Sequence, residues 1–243
     1  MKEFPRPIRL PGEPPLPREG EERPHHKHPD VVDDDVDVFG AEAAAARLVE
    51  QLGDVQPVAA QRAEDGRLLL SPPFDALRDR VDGPASARLT LVVFGAYGTP
   101  SSRPLGEVLT HVREQHTSTV RLAWRHFPDP AAHARAAVLA LAAEAGAAAD
   151  RFWAVTHQLL KLRHDDPRDL HTALLRAGVD PARALETMRA GTGTDRIVDD
   201  VASALASGVT YSPAIFVNGE RYRGELTARA VTALLEADSA DAP

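Results

Sequence analysis

The run from Leu89 to Phe94 reads Leu-Thr-Leu-Val-Val-Phe, apolar everywhere except Thr90. A strand without a polar face needs cover on both sides, so the chain is committed to a sheet layered between helices. The run ends in a glycine-containing turn, and Leu105, Val108, Leu109 and Val112 then recur at helical spacing, predicting a helix from about Arg103 to Gln115. Pro104 suits the first turn of that helix, where no intrahelical N–H bond is lost. Thr119 to Arg125 reads as the next strand, parallel to the first after a helical crossover. The junction exposes the turn Thr99-Pro100-Ser101-Ser102 together with the first free backbone N–H groups of the helix, a setting that favours negative charge.

From Pro130 to Gly208 the sequence predicts helices alone. They are expected over 131–149 and 150–162, then from the Asp166-Pro167 and Asp180-Pro181 cap-and-proline pairs, and over 194–206. A short strand after Ser212-Pro213 and a second after Asn218-Gly219 make a hairpin with a type I′ turn, and a closing helix spans Thr227 to Leu235. Ahead of the long strand, Ala41 to Leu52 is strong helix sequence ending at Gly53. Gln56 to Ser71 is expected as a hairpin about Glu64-Asp65-Gly66, and Pro72-Pro73 and Asp82-Gly83-Pro84 as a linker. Residues 1–30 hold eight of the twenty prolines and no apolar periodicity, so residues 1–38 are expected as a disordered tail, and 39–85 as a helix-plus-hairpin extension with a linker. His25-His26-Lys27-His28 lacks the carboxylate or rigid frame of a metal site, and Asp33-Asp34-Asp35 with Asp37 reads as a solvated acidic run.

Two stretches, Leu89 to Pro104 and Val209 to Gly219, resemble the thioredoxin superfamily and its DsbA-like branch above all. There a Cys-Pro-x-Cys turn faces a cis-proline loop. Thr99 and Ser102 stand here at the two cysteine positions, and Ser212-Pro213 at the cis-proline step. The resemblance covers about residues 86–237 and implies, over 86–240, an α/β thioredoxin-like fold with an all-helical insertion over about 130–208. Pro72 to Pro84 and the run Trp124 to Pro128 resemble DsbA-like domains that follow sodium/proton antiporters as fusions, which makes a membrane-protein partner an expectation.

The chain contains no cysteine, so it cannot exchange disulfides of its own. A threonine hydroxyl stays protonated where the family has a thiolate. The resemblance therefore implies a redox-inactive protein that binds a peptide, a thiol compound or a partner protein. The expected groove is formed by Tyr97, Gly98, Thr99, Pro100, Ser101, Ser102, Ser212 and Pro213, with Thr99 and Ser102 as the catalytic candidates. A second reading follows from kappa-class glutathione transferases, which resemble this architecture and place a serine at the first cysteine position; Thr99 would then activate the thiol of glutathione, the one cofactor this resemblance implies. A third is a purely structural domain, with Thr99 and Ser102 capping the helix. His126 and His133 read as surface or helix-capping residues, and no metal site is expected. The net charge of −8 and the 5% aromatic content argue against nucleic acid as a partner. No run is long enough to span a membrane, and the N-terminus lacks an apolar leader, so a cytoplasmic protein is expected.

Overall fold

A computed structural model describes residues 39–133, 135–162 and 167–240. The tail, its histidine and aspartate runs and the Asp166 cap lie outside the described residues. Helix α1 (Phe39–Gly53) precedes β1 (Arg80–Asp82), β2 (Leu89–Gly95), α2 (Ser102–Gln115) and β3 (Val120–His126). The helices α3 (Ala136–Ala148), α4 (Phe152–Leu159), α5 (Pro167–Arg176), α6 (Pro181–Arg189) and α7 (Thr194–Ala206) come next. β4 (Ala214–Val217), β5 (Glu220–Tyr222) and α8 (Ala228–Ala240) end the chain.

One mixed sheet runs in the order β1-β3-β2-β4-β5, with β2 parallel to β3 and the other pairs antiparallel. Every residue of β2 is buried, as its lack of a polar face requires. On one face Val92 and Phe94 pack with Ala123, Phe216 and Ala204, the last from α7. On the other lie Leu91, Val93, Leu122 and Trp124, by the period of two that strands impose. The β4–β5 turn is the expected one: Asn218 and Gly219 have φ of 47° and 90°, the left-handed values a type I′ turn needs. The Ser71–Pro72 and Ser212–Pro213 peptides are cis.

Helix α3 is buried on every side from Ala136 to Gly146, and its alanines let α1, α4 and α6 approach it closely. It starts at Ala136 and not at Ala131, because the Asp129 carboxylate accepts from the N–H groups of Ala131 and Ala132 and holds that stretch as a turn. α6 opens as expected, with the Asp180 side chain accepting from Ala182 N at 2.9 Å.

Two segments differ from the sequence reading in extent. The hairpin expected over 56–71 forms about Glu64-Asp65-Gly66 but is short: Ala63 N–H donates to Arg67 O and Leu69 N–H to Gln61 O across the Arg62–Leu68 bridge, while Leu69 bridges Glu220 on the edge strand β5. Leu68 and Leu70 are buried but Val58 is largely exposed, so only the second half has an apolar face to dock. The stretch read as linker supplies β1, which pairs with β3. Proline and glycine punctuation hides so short a strand, whose charged ends are met by ion pairs of Arg80 with Glu144 and Asp82 with Arg113.

Candidate functional site

The turn between β2 and α2 is closed by a chain of hydroxyls. Ser102 Oγ donates to the Ala96 carbonyl at 3.2 Å and accepts from the Thr99 N–H at 2.9 Å. A serine has one proton to give, so the 2.9 Å contact between Thr99 Oγ1 and Ser102 Oγ has Thr99 as donor. Ser101 Oγ, 3.1 Å from Thr99 Oγ1, then donates to Thr99. The direction of the chain has a chemical consequence: the Thr99 proton is committed inward, and Ser101 stands at the outer end, where turning its proton toward a ligand breaks only its own bond to Thr99. Neither Thr99 nor Ser102 caps the helix, whose N-cap residue, Ser101, makes no side-chain cap bond. Among the described residues the backbone N–H groups of Ser101 and Arg103 have no acceptor.

Tyr97 and Ser102, expected in the groove, are instead buried, each 1% exposed. Tyr97 stacks on Trp124 with ring centroids 5.0 Å apart, and its hydroxyl lies 3.1 Å from Thr156 Oγ1. Burial pushes that phenol well above its usual range. Gly98 shapes the turn with φ of 70°.

The remaining expected residues come together. Thr99, Pro100, Ser101 and Ser212 line a cavity of about 810 Å³, whose far wall is the end of α1 and the Phe127–His133 loop. Ser101 and Pro213 line a second cavity of about 580 Å³, with Leu105 and Val108 of α2 and the residues leaving β5. Thr210 and Tyr211 belong to both, and Tyr211 is 65% exposed. Between the cavities, the backbone N–H and C=O groups of Thr210, Tyr211 and Ser212 make no hydrogen bond among the described residues. An open backbone edge of this kind accepts an extended chain by strand pairing.

Behind the site lies a buried polar cluster that the sequence reading missed. Arg125, fully buried, donates two hydrogen bonds to Asp79 at 2.8 and 2.9 Å, and others to Ser203 Oγ and to the carbonyls of Pro72 and Pro73. All five of its donors are therefore met. Arg78 and Arg196 add ion pairs to Asp79 and Asp200. Ser203 and Ser207 bind Ser71, which ties the segment before β1 to α7. His126, expected on the surface or capping a helix, is fully buried. Trp124 Nε1 can only donate, so the 3.4 Å contact makes His126 Nδ1 the acceptor and leaves Nε2–H to reach Glu144 at 3.0 Å. Burial works against the Glu144 charge, but the bonds from His126 and Arg80 outweigh it and hold the carboxyl down at about 2. Burial raises Asp200, whose carboxylate nonetheless accepts from His126 N at 2.9 Å. The signal available in the sequence was slight: charged residues inside otherwise apolar segments, such as Arg125 in β3 and Glu144 in α3. Among the described residues no cluster of His, Asp or Glu could hold a metal ion, and no helix is long and apolar enough to cross a membrane.

The sequence model of the family described as Thioredoxin matches residues 76–237. Solved structures with the same fold include oxidised BdbD from Bacillus subtilis, at 18% identity and a TM-score of 0.61, covering 70% of this chain and 97% of that one. Another is Wolbachia pipientis alpha-DsbA1, at 14% identity and a TM-score of 0.59, covering 69% and 93%. Among curated relatives, Na(+)/H(+) antiporter NhaA 1 of Mycolicibacterium gilvum is 33% identical over 197 residues, 80% of this chain and 31% of that protein. Na(+)/H(+) antiporter NhaA 3 of Salinispora tropica is 35% identical over 173 residues, 70% and 26% respectively. The chain thus spans less than a third of the length of these relatives.

Proposed function

Because the chain belongs to the thioredoxin family, as a cysteine-free member with a DsbA-like fold, we propose that it binds rather than reacts. Its ligand is an extended peptide segment of a partner protein, laid between the Thr99–Ser101 turn and the Thr210–Pro213 loop. The observation that carries this reading is the unpaired backbone of Thr210 to Ser212, set between two cavities that could seat side chains on either side of an added strand. The relatives named as sodium/proton antiporters point to a membrane protein of that kind as the partner.

The thiol-conjugating alternative, with glutathione as ligand, gains from the hydroxyl chain only if Ser101 replaces Thr99 as the donor to the thiol. One titration separates the two readings. Backbone amide NMR signals are followed while an extended hexapeptide, and separately reduced glutathione, is added. Peptide binding should shift Thr210, Tyr211 and Ser212 together and slow their amide exchange, because their N–H groups acquire acceptors. Saturable shifts with glutathione, centred on Ser101 and lost in Ser101→Ala, would replace the peptide reading. A peptide that left residues 210–212 unmoved at millimolar concentration would sink it.

A further inference from the structure

Strand alternation puts Arg221 and Arg223 on one side of the chain as it leaves β5, and both line the 580 Å³ cavity with Ser101, Thr210, Tyr211 and Pro213. Arg221 differs from the other inward-facing arginines. Arg125 has all its donors met, and Arg78, Arg80 and Arg196 each face a carboxylate. The Arg221 guanidinium has no hydrogen bond or ion pair among the described residues, and its Nη1 is cut off from solvent without a partner. Ring faces hold it instead: Cζ lies 5.7 Å from the centroid of Tyr211 and 5.5 Å from that of Phe216. Such contacts orient a cation but do not replace the hydration it loses on burial. The cavity has one carboxylate of its own, Glu225, against two arginines, so it is positive within a chain of net charge −8.

We propose that this cavity takes an acidic side chain of the bound peptide, with the Arg221 guanidinium as the carboxylate's partner and Arg223 as an outer charge. The inference rests on the peptide-groove reading above. A strand paired along Thr210 to Ser212 would pass from the larger cavity into the smaller one, with alternate side chains on one of its faces directed toward Arg221. Leu105 and Val108 supply an apolar wall for a neighbouring aliphatic residue. Selectivity follows from charge: Glu or Asp supplies the missing acceptor, Gln supplies a weaker one, and Lys brings like charge against like.

The test measures Kd by fluorescence anisotropy for a labelled Thr-Val-Thr-Glu-Val-Thr peptide and for its Gln and Lys counterparts. It uses the wild type, Arg221→Met and Arg221→Lys. Alongside it, N-acetylglutamate and inorganic phosphate are titrated while the Arg221 side-chain N–H signal is followed by NMR. The Glu peptide should bind roughly tenfold or more tighter than the Gln peptide, with the gap narrowing as salt rises. The preference should vanish in Arg221→Met and shrink in Arg221→Lys, which keeps the charge and loses the planar fork. Arg221→Met retains a stem to lie on the rings, so its melting midpoint should stay close to that of the wild type; should it unfold, Arg221→Lys and the wild-type peptide series still decide. Equal binding of all three peptides would overturn the acidic pocket and leave the groove standing. If no peptide bound but N-acetylglutamate shifted Arg221 saturably, the carboxylate site would stand and the strand pairing would fall. Silence from both would overturn both. Phosphate acting as strongly as N-acetylglutamate would make the cavity a general anion site and overturn the side-chain assignment.

Discussion

At the scale of single residues, burial decides which polar groups can act. Ser102 falls in the expected reactive turn and Tyr97 just ahead of it, yet both face inward and their hydroxyls serve the fold. Ser101 stands at the outer end of the hydroxyl chain, bonded only to Thr99. Glu144 shows the same logic with a charge. Its carboxyl is held at about 2 against a usual 4.5, so its ionised form stabilises the folded state. A group with a depressed folded pKa contributes fully above its unfolded value and loses that contribution as pH falls through the folded one. The window is therefore from about pH 5 down to about pH 2, and the contribution at neutral pH is of order 3 kcal/mol. Asp200, raised by burial, works with the opposite sign and favours folding as pH falls, so the wild-type curve alone cannot isolate Glu144. Comparison with Glu144→Gln does. At pH 7 the variant should be less stable to urea by a few kcal/mol, because His126 and Arg80 lose their charged partner; toward pH 2 the two curves should converge. A gap that stayed constant with pH would show that the ionised carboxylate is not what Glu144 contributes.

At the scale of elements, what was legible followed from periodicity, and what was missed followed from contact. β2, α2, α7 and the β4–β5 hairpin were readable because an apolar run, a heptad-like spacing, a glycine stop or an Asn-Gly pair acts within a few residues. β1 was not readable, since Arg80 and Asp82 become strand residues only because β3 offers an edge and Glu144 and Arg113 meet their charges. The α3–α4 contact is likewise tertiary. Gly146 sits inside α3, where alanine would ordinarily gain up to about 1 kcal/mol in helix propensity. Here an added Cβ would come within 2.6 Å of Val155 Cγ2 and 2.9 Å of its Cβ. Val155 is buried and β-branched, so it cannot turn away cheaply. Overpacking of this kind costs about 1–3 kcal/mol, which outweighs the propensity gain. Gly146→Ala should therefore lower the thermal midpoint by several degrees. A variant as stable as wild type would mean that α4 shifts freely against α3.

At the scale of the whole molecule, the family's topology is present without its cysteines. The order β1-β3-β2-β4-β5, the helices between β3 and β4 and the loop ahead of β4 bring Thr99 and Ser212 to one cavity although residue 99 carries no sulfur. This much of the placement was legible, because a strand–turn–helix junction and a Ser-Pro step leave local marks. The ion cluster was not, because it joins residues far apart in the chain, Arg125 of β3 with Pro72, 53 positions before it, and Ser203 of α7, 78 positions after it. If the frame is intact and only the thiols are missing, restoring them should restore exchange. Thr99 Oγ1 and Ser102 Oγ already lie 2.9 Å apart, so a small rotation brings two sulfurs at those positions to bonding distance. The double variant Thr99→Cys with Ser102→Cys should form an intramolecular disulfide under mild oxidation, visible as loss of both thiols to an alkylating label. Its reduced form should reduce a model disulfide, while the parent chain does nothing. The outward cysteine should also have a lowered pKa, since a thiolate at residue 99 would accept from the unpaired N–H groups at the start of α2. A folded double variant whose thiols stayed apart would show that the turn had lost the family's geometry along with its cysteines, and the binding groove would then have to be argued from the Thr210–Ser212 edge alone.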